Sequence, residues 1–320
     1  MTTTMTPQPA SQPTPQPTRR AARRERGAIA RAIAGALRSW RGRIGLVLAL
    51  AVFALAFIGP FVAPYSPTEF VAPPSSPPGP GYPLGSDILG QDVLSRLLDG
   101  GWRLLLLALS ATVLALLLGT LIGVTAAYRR GWAETGLMRG VDVLLAFPQL
   151  VFVLLIVSVL GTPTWLLILT VAIAQAPQIA RVVYASAQDI CERDFVQAVA
   201  LWGVPPRTVI ARHVLPSLST PLAVEAGLRL SFSIVMISGL NFLGFGVQPP
   251  NPSWGVMINE NRLGMASNPW GVVAPAIVLA LLAIGTNLFT DAFARAAFGE
   301  DRADEAVIGS GVGAATGVNP

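Results

Sequence analysis

The sequence predicts an all-α membrane protein with six transmembrane helices, and three observations carry that expectation. Hydrophobic residues make up 52% of the 320 positions and charged residues only 12%, about half the charge of an ordinary soluble domain. The apolar residues fall in long blocks, each able to cross roughly 30 Å of hydrocarbon at about 1.5 Å per helical residue. The arginines gather on one side of those blocks.

The order of elements follows from composition. Residues 1–18 are Thr, Pro and Gln with almost nothing apolar, so they are expected to be disordered. Residues 19–43 are rich in Arg and Ala and suit a basic helix with Ile29, Ile33, Ala36 and Leu37 on one side. Such a helix would lie on an anionic leaflet, or else be a solvated tail. The first apolar block, 44–63, is too long for a signal-peptide core, and its leader is too long for a signal n-region. It is expected to be an uncleaved span. Residues 65–100 are Pro- and Gly-rich and end in a short amphipathic helix at 92–98. The remaining spans are expected near 102–127, 141–160, 163–185, 221–245 and 270–293, followed by a tail at 294–320. Gln175, Pro177, Gln178 and Arg181 interrupt the fourth of these six.

Arginine counting sets the orientation. With the N-terminus inside, 18 of the 22 basic residues fall inside and three (Arg96, Arg103 and Arg262) outside, while Arg229 lies within a span. Both termini are therefore expected in the cytoplasm, with an inner-membrane location and a cytoplasmic loop at 192–216.

Composition also excludes chemistries. Every basic residue is Arg; without a lysine to reach the β- and γ-phosphates, this chain is no P-loop ATPase. A single cysteine, Cys191, and a single histidine, His213, leave no basis for a disulfide, a Cys-based metal site or a histidine relay. An intramembrane enzyme would need a nucleophile–base or metal constellation, which is missing. The basic tail carries no nucleic-acid-binding motif, so no nucleic-acid partner is expected. Intramembrane ionisable residues are few: Asp142 and Asp291 near span ends, and Glu225 and Arg229 in the fifth span. The last two are spaced i, i+4, which suits a structural pair or a substrate-facing site. No chain of carboxylates crosses the interior, so the driving energy is expected from elsewhere. Gly119 and Gly123 form a GxxxG that suits close helix packing or, less simply, a pore lining.

The loop is the most informative segment. Residues 189–202 read as a helix, with Ile190, Phe195, Val199 and Trp202 apolar and Asp189, Glu192, Arg193 and Asp194 at its start, where acids suit the macrodipole. Gly203 ends it, Pro205-Pro206 blocks continuation, and a second helix spans 206–214. Two short helices about such a break form a compact knob, suited either to docking a partner or to capping the bundle.

The residues Gln197-Ala198-Val199, then Gly203, then His213-Val214-Leu215-Pro216 resemble the "EAA" loop of permeases from binding-protein-dependent ABC importers. Gln197 stands where that family has Glu, Val199 where it has Ala, and His213 where it usually has Ile. The Arg212-His213-x-Leu-Pro form is typical of the peptide/nickel subfamily. Tyr82 to Arg96 resembles "PLGTDxLGRDVLSR", Met138 to Pro148 resembles "RxxDxxxAFP", and Leu243 to Pro250 with Ser253-Trp254-Gly255 resembles the segment after the fifth span. Thr290-Asp291 replaces the Gly-Asp of a C-terminal "GDxLRD", with Arg295 one residue late.

Across residues 82–291 the chain is thus similar to the C-type permease of dipeptide, oligopeptide and nickel importers. That resemblance implies a type I ABC importer permease fold, with the permease domain at 101–293 and its coupling loop at 189–216. It implies Asp194, Gln197, Ala198, Gly203, His213, Leu215 and Pro216 as the ATPase-coupling residues. The implied partners are a homologous B-type permease, one or two ATP-binding subunits that hold ATP and Mg, an external substrate-binding protein and membrane lipid. No cofactor is expected in this chain. Peptide import is the function implied first; nickel or another small solute is the alternative, and a non-transporting scaffold or receptor the reading from another class.

Overall fold

The computed structural model describes residues 29–315 apart from residue 249. The Pro/Thr segment 1–18, the arginine-rich stretch 19–28 and residues 316–320 lie outside the described residues. In chain order the helices are α1 (29–38), α2 (Trp40–Val62), α3 (Val93–Arg129), α4 (Trp132–Leu145), α5 (Gln149–Leu160), α6 (Thr164–Cys191), α7 (Asp194–Leu201), α8 (Pro206–Val209), α9 (Leu215–Ser217), α10 (Ser219–Phe242), α11 (Trp254–Asn261) and α12 (Trp270–Ala315). A π turn occupies Ile210–Val214 and a 3-10 turn Arg262–Gly264. Among the described residues, β-structure is limited to isolated bridges such as Phe70 with Gln91.

Five helices, α2, α3, α6, α10 and α12, are each long and apolar enough to cross a bilayer. The block expected as one span over 141–160 is instead the pair α4–α5, bent by 84°. Proline explains the break: Pro148 excludes the preceding Phe147 from the helical region, and Phe147 is a bend between the two helices. The short amphipathic helix expected at 92–98 is not separate either. Asp92 caps α3, accepting the Ser95 N–H at 2.8 Å, and the helix runs 37 residues without interruption. At about 1.5 Å per residue it exceeds the hydrocarbon thickness, so its first turns stand beyond the apolar layer.

The polar residues that seemed to interrupt the fourth span leave α6 continuous, because each meets a partner. Gln175 Nε2 donates to Ser233 Oγ at 2.7 Å, Gln178 accepts from Arg229, and Arg181 pairs with Asp142 of α4. Membrane helices tolerate an internal proline such as Pro177 when neighbours cover the freed groups. Glu225 and Arg229 form the expected i, i+4 pair, Oε2 to Nε at 3.0 Å, with both side chains buried. Their pairing with each other and with Gln178 ties α10 to α6.

Helix crossings are built on small residues. A Cβ on Gly119 would lie 2.6 Å from Ile179 Cβ and 2.8 Å from Ala176 O, and one on Gly123 2.7 Å from Ala180 O. The GxxxG therefore packs α3 on α6 within this chain. Gly45 and Gly285 play the same part between α2 and α12. Where Thr290 departs from the family's Gly, Gly227 of α10 gives way: a Cβ there would sit 2.4 Å from Thr290 Oγ1. Gly119→Ala is expected to cost about 1–3 kcal/mol by forcing α3 and α6 apart, read as a lower thermal midpoint in detergent. Gly239→Ala, with no atom within 4 Å of the added carbon, is the control and should not destabilise.

The basic segment also packs differently from the expectation. Within α1, Ala32 and Ala36 are buried against Ala292 and Phe293 of α12, whereas Ile33 and Leu37 are exposed. The small residues face the bundle because α1 lies close on α12: a Cβ on Gly35 would fall 2.8 Å from Ala296 Cβ. Ser39 then breaks the helix and caps α2, its Oγ accepting the Gly42 N–H at 3.0 Å.

Candidate functional site

The bundle has two unlike ends, a knob formed by residues 192–218 and a cap formed by residues 65–92 with α11. The knob starts where α6 stops. The helix expected over 189–202 is divided: Glu192 caps α6 through its N–H to Gln188 O at 3.1 Å, and Arg193 O accepts the N–H groups of Val196 and Gln197 to start α7. Gln197 Nε2 donates to Glu192 O at 3.1 Å, supplying a partner to a carbonyl at the end of α6. A glutamate at 197 has no proton to give there at neutral pH, so the amide has a local structural role of its own.

Behind α7 the knob is held by apolar packing. Ile190, Val196, Val209, Val214 and Leu218 are buried in one cluster, with Val199 packed against it. Of the four apolar residues noted in the expected helix, Ile190 is therefore buried and Val199 half-buried; the Phe195 side chain lies outside the described residues. Trp202 goes the other way. It is 77% exposed and Leu201 is 87% exposed, because α7 ends at Leu201 and the chain turns at Gly203, whose φ is +76°. That left-handed conformation suits glycine.

The return limb contains the π turn. Leu215 donates its N–H to Ile210 O, five residues back. Pro216 has no N–H, and its ring would collide with the carbonyl four residues earlier in a regular turn. The widened backbone lies directly before it, in the kind of irregularity that recurs at functional sites. His213 is half-buried here, and its carbonyl accepts the Ser217 hydroxyl at 2.9 Å. Asp194, Gln197, Gly203 and Leu215 are exposed, while Ala198 and Pro216 are half-buried. The structure thus gathers all seven residues singled out by sequence on one knob whose apolar tip, Leu201 and Trp202, is unburied. The ion pair of Glu192 with Arg130, at 2.8 Å, is more than half exposed on both sides and contributes little to stability. Among the described residues, no group of three His, Cys, Asp or Glu side chains could hold a metal.

At the opposite end, the cap is organised by a charge network that sequence reasoning missed. Arg96 is 2% exposed and pairs with Asp87, 1% exposed, and with Glu260 of α11, whose Oε2 lies 2.9 Å from Nη2. The other oxygen of Asp87 accepts the N–H groups of Leu89 and Gln91, each at 2.8 Å. Asn261 accepts the Ile88 N–H at 3.0 Å, and Asn268 donates to Leu84 O and Ser86 O at 3.0 and 2.9 Å. Buried Trp254 donates its indole N–H to Leu97 O at 2.8 Å. The stretch from Tyr82 to Arg96 thus meets Glu260, Asn261 and Asn268 across the cap, and the Ser253-Trp254-Gly255 stretch is tied to α3 at Leu97. The available signal was two acids and an arginine in a segment otherwise poor in charge.

Comparison with known proteins agrees with this architecture. Residues 119–298 match the family described as "Binding-protein-dependent transport system inner membrane component". The chain is 35% identical over 254 residues to the di/tripeptide transport system permease protein of Pseudomonas aeruginosa, covering 77% of this chain and 84% of the relative. It is 31% identical over 244 residues to the glutathione transport system permease protein of Pectobacterium atrosepticum, covering 76% and 81%. A putative peptide permease protein of Brucella ovis is 34% identical over 263 residues, covering 81% and 87%. The helix-rich multi-pass bundle, its resemblance motifs and these matches converge: the chain belongs to the family of binding-protein-dependent transport system inner membrane components.

Proposed function

We propose that this chain is the peptide-passing permease subunit of an ATP-driven importer, and that its knob receives the work of a separate ATP-binding subunit. The observation that carries the second part is the tip. Leu201 and Trp202 are 87% and 77% exposed on a knob where Val196, Val209, Val214 and Leu218 are buried, and a large exposed aromatic flanked by a turn suits an anchor in a partner's pocket. In this reading Asp194, Gln197, Ala198, Gly203, His213, Leu215 and Pro216 form the coupling element, and the permease domain spans 101–293. The arginine asymmetry supports a cytoplasmic knob and cytoplasmic termini with the cap outside, where an external binding protein would deliver solute. ATP and Mg stay with the partner, a homologous permease completes the pathway, and this chain breaks no bond. Movement of the knob rocks the helices that leave it, α6 and α10, and so alternates access.

Peptide as the solute is supported by the relatives' names and by the Arg212-His213-x-Leu-Pro form. Uptake of defined labelled peptides into cells lacking and then regaining this chain tests it. Restored peptide uptake is expected; restoration for nickel alone would move the substrate class, and no restored uptake would favour a non-transporting role. Trp202→Ala tests the docking. Folding stability should stay within about 0.5 kcal/mol, as for other surface changes. Co-purification of the ATP-binding subunit should weaken by roughly tenfold or more, the scale of an interface anchor.

A further inference from the structure

Between the cap-end turns of α3, the α5–α6 connection and the segment after α10 lies a cavity of about 500 Å³, within the roughly 300–1,000 Å³ range of small-molecule sites. Trp102, Arg103, Thr162, Thr164, Gln248 and Asn251 are among its walls, and Arg103 is the one ionisable residue on its described lining. The guanidinium of Arg103 is built into place without a protein anion. Its Cζ lies 4.9 Å from the centroid of the Trp102 ring, close enough for a cation–π contact. Its Nη1 is buried and has no hydrogen-bond partner. None of the ion pairs among the described residues includes it, although Asp99 lies one helical turn earlier on α3. This contrasts with the other arginines near the bundle interior: Arg96, Arg181 and Arg229 are each paired with a carboxylate.

A buried guanidinium donor without an acceptor is costly, and Arg103 lines the cavity with no protein anion beside it, so a carboxylate is the ligand whose charge matches it. The rest of the lining is apolar or neutral and polar. Thr162, Thr164, Gln248 and Asn251 offer donors and acceptors to amide groups, and the leucines of the wall offer contact to side chains. We propose that this cavity is a way-station for a peptide entering the pathway, with Arg103 holding the C-terminal carboxylate. The inference rests on the peptide-permease reading above and adds to it a defined contact. A half-open recess of this volume fits the end of a small solute better than it fits an acidic side chain on the convex face of a docking protein.

The test uses the complete transporter in two arms. In proteoliposomes with binding protein and ATP, uptake of a dipeptide with a free C-terminus checks the functional reading; no uptake there sinks that reading. In nanodiscs without binding protein, equilibrium dialysis compares the same dipeptide with its C-terminal amide. Wild-type complex is expected to prefer the free acid by roughly tenfold or more, as for a charge-assisted bond. Arg103→Gln should erase the preference, with the affinity for the free acid falling about tenfold further than that for the amide, and Arg103→Lys should keep part of it. Size-exclusion chromatography checks that each variant still assembles. Normal uptake with no preference for the acid in wild type, or an equal loss of both forms in Arg103→Gln, would overturn the proposal. So would a change confined to the concentration of binding protein needed for half-maximal uptake, because the arginine would then be serving protein docking.

Discussion

Gly203→Leu is expected to abolish uptake while the protein remains inserted in the membrane and folded. The backbone at Gly203 has φ +76°, and no atom lies within 4 Å of where a Cβ would be. Inside this chain the substitution therefore meets only conformational strain, of roughly 1–2 kcal/mol for a side-chain-bearing residue in the left-handed region. The space around that carbon is empty, however, and Gly203 directly follows the exposed Leu201 and Trp202, where the ATP-binding partner is proposed to sit. A leucine there obstructs the dock and tilts the tip. Gly203→Asn is the informative companion, since Asn enters the left-handed region more readily and should retain part of the transport. Transport by membrane vesicles, thermal stability and co-purification of the ATP-binding subunit would be measured together. Uninterrupted transport in a well-expressed Gly203→Leu protein would count decisively against the coupling role.

The second large effect is expected at the cap. Arg96→Ala removes the cation from a network in which Asp87 is fully buried and Glu260 mostly so. Removing one member of such a group leaves buried charge uncompensated, at about 3–5 kcal/mol. Backbone N–H groups from Leu89 and Gln91 still reach Asp87, but Glu260 loses its partner. The cap should open ahead of the bundle, so that limited proteolysis cuts within residues 65–92 at protease levels the wild type resists. Arg96→Lys is expected to rescue only partly, because an ammonium cannot reproduce the fork that addresses two carboxylates at once. A cap equally resistant in Arg96→Ala would show that the network is dispensable.

What could be read from sequence, and what could not, follows from how far each signal reaches along the chain. Spans are local and long, so α2, α3, α6, α10 and α12 were visible as apolar blocks. The boundary drawn near Gly100-Gly101 was misplaced because glycine usually signals a break. Here it answers a distant residue: a Cβ on Gly101 would lie 2.4 Å from Trp254 Cζ2, so the pair stays helical and bare to admit the indole. Arg96 was counted only as a topology signal, since its partners lie 9 and 164 positions away. The knob was legible as two limbs about Gly203 and Pro205-Pro206. The outward turn of Trp202 was not, because the helix expected over 189–202 included it and the true end of α7 falls one residue short, at Leu201. Gln197 looked like a weakened glutamate, whereas its amide hydrogen bond to Glu192 makes use of what a glutamate lacks.

The break between α4 and α5 has a consequence for what may surround this molecule. Gln149 Nε2 reaches Ala174 O at 3.0 Å, and Ala174 lies well inside α6, so the break sits at depth in the bilayer. The first helical bond of α5 is Phe152 N–H to Pro148 O; the amides of the first turn ahead of it have no acceptor within their own helix. Hydrocarbon supplies none, and exposed backbone of this kind is tolerated at such depth only against protein or water. That flank of the bundle is consequently a seam from which lipid is excluded. It gives the molecule a front and a back: α2 and the outer side of α12 can face acyl chains, while the seam must be closed by a second subunit or kept wet. Amide exchange at 149–151, fast in the isolated chain and slowed on assembly, would be the spectroscopic mark of that front.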